Sequence, residues 1–153
     1  MTKDELVEAL GDALRLAQNR SQVFDDLAAE RLGINLTDLR CLDIVERLGS
    51  PTAGTVAREA GLSSGAMTAA LDRLQRAGYL RRSADERDRR VVRVELTGLA
   101  RERVTEIYGP MAEAWGRHMR RYTAEELRLL LRLMLEGEPV SERVAEDLRS
   151  RGR

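Results

Sequence analysis

Three guanidinium groups crowd one short stretch, Arg87, Arg89 and Arg90, with Asp85, Glu86 and Asp88 beside them. A hydrophobic core has no use for such a run. Arginine is the side chain that enters a narrow minor groove, where the negative potential of a DNA duplex is enhanced. Asp88 need not cancel that charge; it can brace a neighbouring arginine in one rotamer. A second group lies upstream. Ser63, Ser64, Gly65, Thr68 and Ala69 are small, and Arg73 and Arg76 follow them. At helical spacing Gly65, Ala69, Asp72 and Arg76 share one face, with Ser64, Thr68 and Arg73 on its flanks. Met67, Ala70, Leu71 and Leu74 then face inward. Small residues let a helix enter a major groove about 12 Å wide, and Arg73 and Arg76 would reach phosphates. The bland alternatives are a surface helix with two arginines and a solvated hairpin tip whose charges neutralise one another.

Other chemistry lacks its residues. There is one histidine, His118, and one cysteine, Cys41. Neither a metal-ligand set nor a Ser-His-Asp arrangement can be drawn, and no Gly-rich phosphate loop is present. An enzyme, a bound metal and a cofactor are therefore not expected, and Cys41 alone rules out a disulfide framework. The 153 residues suit one domain with a dimerising extension. Their 26 basic and 26 acidic side chains cancel overall but are segregated. Residues 1–50 carry a net −4, residues 51–93 a net +4, and the remainder balances. A basic stripe on a neutral chain points to a specific anionic partner. No apolar run approaches the roughly 20 residues of a membrane span. The charged start, Met1-Thr2-Lys3-Asp4-Glu5, does not read as a signal peptide. The expectation is a soluble cytoplasmic protein with no membrane partner.

The elements that must position these groups are mostly helices, since the core residues are Leu, Val and Ala with only five aromatics. Leu6, Leu10, Ala13, Leu14 and Ala17 repeat at three- and four-residue steps and predict a long helix over 3–31. Asn35 or Thr37 caps a second helix that stops at Gly49-Ser50-Pro51. Thr52 opens a short helix ending at Gly61, and a tight turn leads into a helix over 64–77 with Gly78 as its stop. The period then changes. Tyr79–Arg82 and Val91–Leu96 read as strands flanking the arginine-rich tip. Thr97 caps a helix over 98–121 in which Gly109-Pro110 predicts a kink. Thr123-Ala124-Glu125-Glu126 is a capping box for a last helix over 127–135, which Gly137-Glu138-Pro139 is expected to break. The fold class is thus mainly α with a small β-hairpin wing: a winged helix-turn-helix flanked by N- and C-terminal dimerisation helices. Residues 1–34 would be the N-terminal dimerisation helix, 35–97 the winged DNA-binding domain, and 98–153 the C-terminal helices completing the dimer region. Leu129-Leu130-Leu131 with Leu133, Met134 and Leu135 is apolar over more than one face, as an interface helix is.

The run from Ser63 to Leu74, then Ala77-Gly78-Tyr79-Leu80-Arg81-Arg82 and the tip Asp85–Arg90 followed by Leu96-Thr97, resemble the multiple-antibiotic-resistance regulator (MarR) family of winged-helix transcription factors. The likeness covers nearly the whole chain. Glu86 stands where a proline is common in the family's wing signature, a mild departure. The resemblance implies that Asp88 is the bracing acid and Arg90 the minor-groove arginine, with Ser64, Gly65, Thr68 and Arg73 on the recognition helix. It implies a homodimer on a pseudo-palindromic operator in double-stranded DNA, and a repressor released by a small aromatic or amphipathic effector. The lining candidates are Arg15, Asn19, Phe24, Cys41, Tyr108, Trp115 and His118. Phe24, Tyr108 and Trp115 also suit a core, and Cys41 an inert buried thiol. Two other readings stand beside this one: a redox-sensing regulator using Cys41, and a winged-helix module that binds protein.

Overall fold

The structure is a computed structural model that describes residues 1–151. The elements run α1 (Lys3–Leu32), α2 (Leu36–Leu48), α3 (Ala53–Ala60), α4 (Ser64–Arg76), β1 (Leu80–Ala84), β2 (Val92–Leu96), α5 (Gly98–Met119) and α6 (Ala124–Arg151). Local chemistry sets most of these boundaries. Thr2, Asn35, Thr52 and Ser63 cap α1 to α4, each side-chain oxygen accepting an N–H from the first turn. Of the two caps open for α2, Asn35 is the one used; its Oδ1 accepts the Asp38 N–H at 2.9 Å. Gly61 and Gly78 adopt left-handed backbone at φ 67° and 78°. The first makes the turn between α3 and α4, and the second turns α4 into the hairpin.

The chain divides into two compact units, Met1–Tyr108 and Gly109–Arg153, and the division falls at the Gly109-Pro110 pair within α5. The first unit holds the core. Leu42, Val45, Val56, Leu74 and Val94 are completely enclosed, joined by Ala28, Ala29 and Leu32 from the end of α1. Tyr79 seals this core and donates its hydroxyl to the Leu32 carbonyl at 2.9 Å. β1 and β2 pair antiparallel, from Leu80 opposite Leu96 to Ala84 opposite Val92. Thr52 adds a bridge to Arg93, and the Val94 N–H donates to the Pro51 carbonyl at 3.0 Å. The hairpin is therefore fastened at its base to the α2–α3 connection.

The mainly helical class with one hairpin holds, but two local expectations do not. Ser83 and Ala84 belong to strand β1, not to the tip, because the hairpin ladder continues past Arg82. The last helix does not break at Gly137-Glu138-Pro139; α6 runs through Pro139 to Arg151. A proline removes one N–H and crowds the carbonyl four residues back, costing about 3 kcal/mol. Long flanks of good helix formers on both sides of Pro139 offset that local loss. Gly137 also lacks the left-handed backbone that a helix stop needs.

Candidate nucleic-acid interface

The first turn of α4 is exposed at Ser64, Gly65, Ala66, Thr68 and Ala69, while Met67, Ala70, Leu71 and Leu74 are buried. Two polar groups on this turn are committed locally. Ser63 Oγ accepts the Ala66 N–H, and the Thr68 hydroxyl donates to the Ser64 carbonyl at 2.9 Å. The Thr68 oxygen keeps accepting capacity. Outside its chain neighbours and the backbone of its own helix, no heavy atom lies within 4 Å of where a Cβ on Gly65 would sit, so tertiary packing does not require a glycine there. Further along, Arg76 donates Nε to the Asp72 carbonyl at 3.2 Å. Arg73 makes a two-pronged pair with Asp38 of α2, and Asp72 pairs with Arg82 of β1 at 2.7 Å. Arg82 also donates to the Thr68 carbonyl. α4 is thus tied on one side to α2 and on the other to the hairpin.

The hairpin tip is organised by its acids. Asp85 accepts the backbone N–H groups of Arg87 and Asp88 on Oδ1, and the Arg93 guanidinium on Oδ2. Arg93 in turn donates Nη1 to the Ser50 carbonyl at 2.7 Å, so the tip and the base share one anchor. The Arg87 backbone N–H, then the Arg93 guanidinium, hold the Asp85 carboxyl below the usual carboxylate range. Asp88 Oδ1 accepts both the backbone N–H and Nε of Arg90, at 3.0 and 3.1 Å, and its Oδ2 accepts Nη2 at 3.2 Å. The Arg90 guanidinium is the main cause of the lowered Asp88 carboxyl. The Arg90 side chain is nevertheless 91% exposed. A cation held in one orientation and left open to solvent is suited to an anion arriving from outside. Arg87 and Arg89 are exposed on the same tip.

The seven pocket candidates are distributed over both units. In the first, Phe24 and Tyr108 meet edge to face with ring centroids 5.2 Å apart. The Tyr108 hydroxyl donates to Asp25 at 2.9 Å, and burial, followed by that bond, pushes its ionisation up. Arg15 is exposed and paired with Asp12, and Asn19 is exposed. Cys41 lies in the core with its thiol pushed up to about 11, first by burial and then by the Asp38 charge. A buried thiol raised in this way does not suit a redox sensor. In the second unit His118 lies edge-on between Trp115 and Tyr122, at 5.7 and 5.6 Å. Among the described residues no group of three or more His, Cys, Asp or Glu gathers as a metal site.

The ion pairs Asp38–Arg73, Asp72–Arg82 and Asp85–Arg93 were not foreseen from the sequence. Asp38 carried a signal: it shares the apolar stripe of α2 with Cys41, Leu42 and Val45. An acid on a buried face demands a buried partner.

The MarR family model matches residues 34–92, which span α2 to the start of β2. The uncharacterized HTH-type transcriptional regulator YcgE of Bacillus subtilis is 35% identical over 97% of this chain and 96% of its own length. This chain belongs to the MarR family. Its fold is shared with a MarR family protein from Bacillus stearothermophilus, at a TM-score of 0.69 and 18% identity over 93% of this chain and 99% of that one. The transcriptional regulator PA4135 aligns at a TM-score of 0.62 and 27% identity, covering 86% of this chain and 96% of its own. As a MarR-family protein the chain is a DNA-binding transcriptional regulator and not an enzyme. That membership displaces the reading as a module that binds protein instead of DNA. No helix among the described residues is long and apolar enough to cross a membrane.

Proposed function

We propose that this MarR-family regulator is a homodimeric repressor that binds a pseudo-palindromic operator with α4 in the major groove and the hairpin in the minor groove. The observation that carries the reading is the pairing of an exposed, small-residue first turn on α4 with a braced, solvent-facing Arg90. Ser63, Ser64, Gly65, Thr68, Ala69, Arg73 and Arg76 form the major-groove set, and Arg87, Asp88, Arg89 and Arg90 the wing set. Residues 35–97 are the DNA-binding part, and 1–34 with 98–153 the dimerising part. The unmatched apolar surface supports dimerisation: α6 buries no residue, and Leu130, Met134, Val144 and Leu148 are exposed along it. On α1, Leu6, Leu10 and Leu14 are exposed as well. Apolar surface of this kind along two helices supports an interface between two copies.

A small aromatic or amphipathic effector would relieve repression by binding the DNA-incompetent arrangement more tightly than the competent one. The Phe24–Tyr108–Asp25 group, an aromatic pair beside a polar one and only partly buried, is where such an effector would compete for packing. The regulator's site of action on this reading is the cytoplasm. The test is to enrich duplexes from a randomised library with the wild-type protein and measure their binding by fluorescence anisotropy at several salt concentrations. Arg90→Ala is expected to weaken binding roughly tenfold and to lower the salt slope by about one. Wild-type affinity and slope in Arg90→Ala would remove the wing from the interface.

A further inference from the structure

We propose that Asp38 is a positioning residue for DNA binding: from α2 it fixes Arg73 of α4 so that one edge of that guanidinium is set in advance to receive a backbone phosphate. This rests on the reading of α4 as the groove-entering helix. Asp38 is the one buried charged residue among those described, 1% exposed. Its Oδ2 accepts Nε of Arg73 at 2.9 Å and its Oδ1 accepts Nη2 at 2.7 Å. A guanidinium is planar, and this pairing occupies the edge shared by Nε and Nη2. The Nη1 donors lie outside that edge. The Arg73 side chain remains 40% exposed while its partner is 2% exposed, so the pair is sealed on the acid's side and open on the cation's.

Stability alone is a poor account of such a pair. A buried ion pair replaced by apolar residues of similar volume often leaves a protein as stable or more so. Binding gives it a clearer use. A flexible arginine loses rotamer freedom when it meets a phosphate, whereas one already clamped has lost it on folding. The neighbouring acid is also neutralised separately, since Asp72 is held by Arg82 at 2.7 Å. Asp72 therefore does not compete for Arg73 or present a bare charge to the duplex.

The sign of one substitution separates this proposal from simple electrostatics. Asp38→Asn removes a negative charge from beneath the face read as DNA-binding, which by charge alone tightens binding. Positioning requires the opposite. With a duplex enriched from a randomised library by the wild-type protein, Asp38→Asn is expected to weaken binding at least fivefold. Unchanged or tighter binding overturns the proposal. If Asp38→Asn does not fold, the double variant Asp38→Leu with Arg73→Met, which leaves no buried charge unmatched, tests whether Arg73 makes the phosphate contact that the positioning role requires. That variant is expected to keep its thermal melt and to lose about one from the salt slope, the loss of one phosphate contact. A wild-type slope overturns the proposal. Thr68→Glu, on the exposed face of α4, tests the reading beneath it. If Thr68→Glu binds normally, α4 does not enter the groove and both readings fall. If it abolishes binding while the pair variants behave as wild type, the positioning role alone falls.

Discussion

At the scale of single residues, the wing is an arrangement of acids that hold arginines. Asp85 and Asp88 organise the tip through backbone and guanidinium donors, and both carboxyls are held below their ordinary value of 3.8. A group whose folded pKa is depressed contributes order that is full above its unfolded value and is lost as pH falls through the folded one. The tip should therefore keep its form at neutral pH and lose it on acidification with a midpoint below 3.8. The backbone N–H groups of Arg87 and Arg90, which donate to these carboxylates, report the change directly. Their NMR shifts should titrate with midpoints below 3.8; a midpoint at or above that value would contradict the bracing role. The acid and arginine types were visible in the sequence, since Asp88 and Arg90 are two residues apart. The partners of Asp85 were not. Arg93 lies across the hairpin and Ser50 is 43 positions from Arg93, so only the folded register joins them.

At the scale of elements, α4 shows what local chemistry specifies and what it leaves open. Its cap, its inward face and its glycine stop are each written within a few residues, and all were legible. The absence of a side chain at Gly65 has no cause in tertiary packing, because beyond its own helix backbone and chain neighbours nothing lies within 4 Å of a Cβ built there. On the reading of α4 as the groove-entering helix, the glycine leaves room for a duplex to approach. Gly65→Ala is accordingly expected to leave stability unchanged or raise it by up to about 1 kcal/mol, read by thermal melt. It should weaken binding of the enriched duplex roughly tenfold, about 1.4 kcal/mol. Full affinity in Gly65→Ala would place the duplex away from this turn. α6 marks the limit of local reading. Gly137 and Pro139 both look like a stop, yet the helix continues, because flanking propensity summed over many residues outweighs one lost hydrogen bond. The tie from α4 to α2 was equally illegible, since Asp38 and Arg73 are 35 positions apart.

At the scale of the whole molecule, zero net charge conceals a division of labour. The positive excess sits in residues 51–93, where α4 and the wing lie, and most of the exposed large apolar side chains sit on α1 and α6. A two-fold dimer would present two copies of α4 about 34 Å apart, one turn of duplex. The measurement that tests this most directly is chemical footprinting of the enriched duplex, with guanine N7 methylation for the major groove and hydroxyl-radical cleavage for the minor groove. The account predicts two major-groove protections one helical turn apart, each flanked by minor-groove protection that Arg90→Ala removes. A single protected patch, or flanking protection that survives Arg90→Ala, would contradict it.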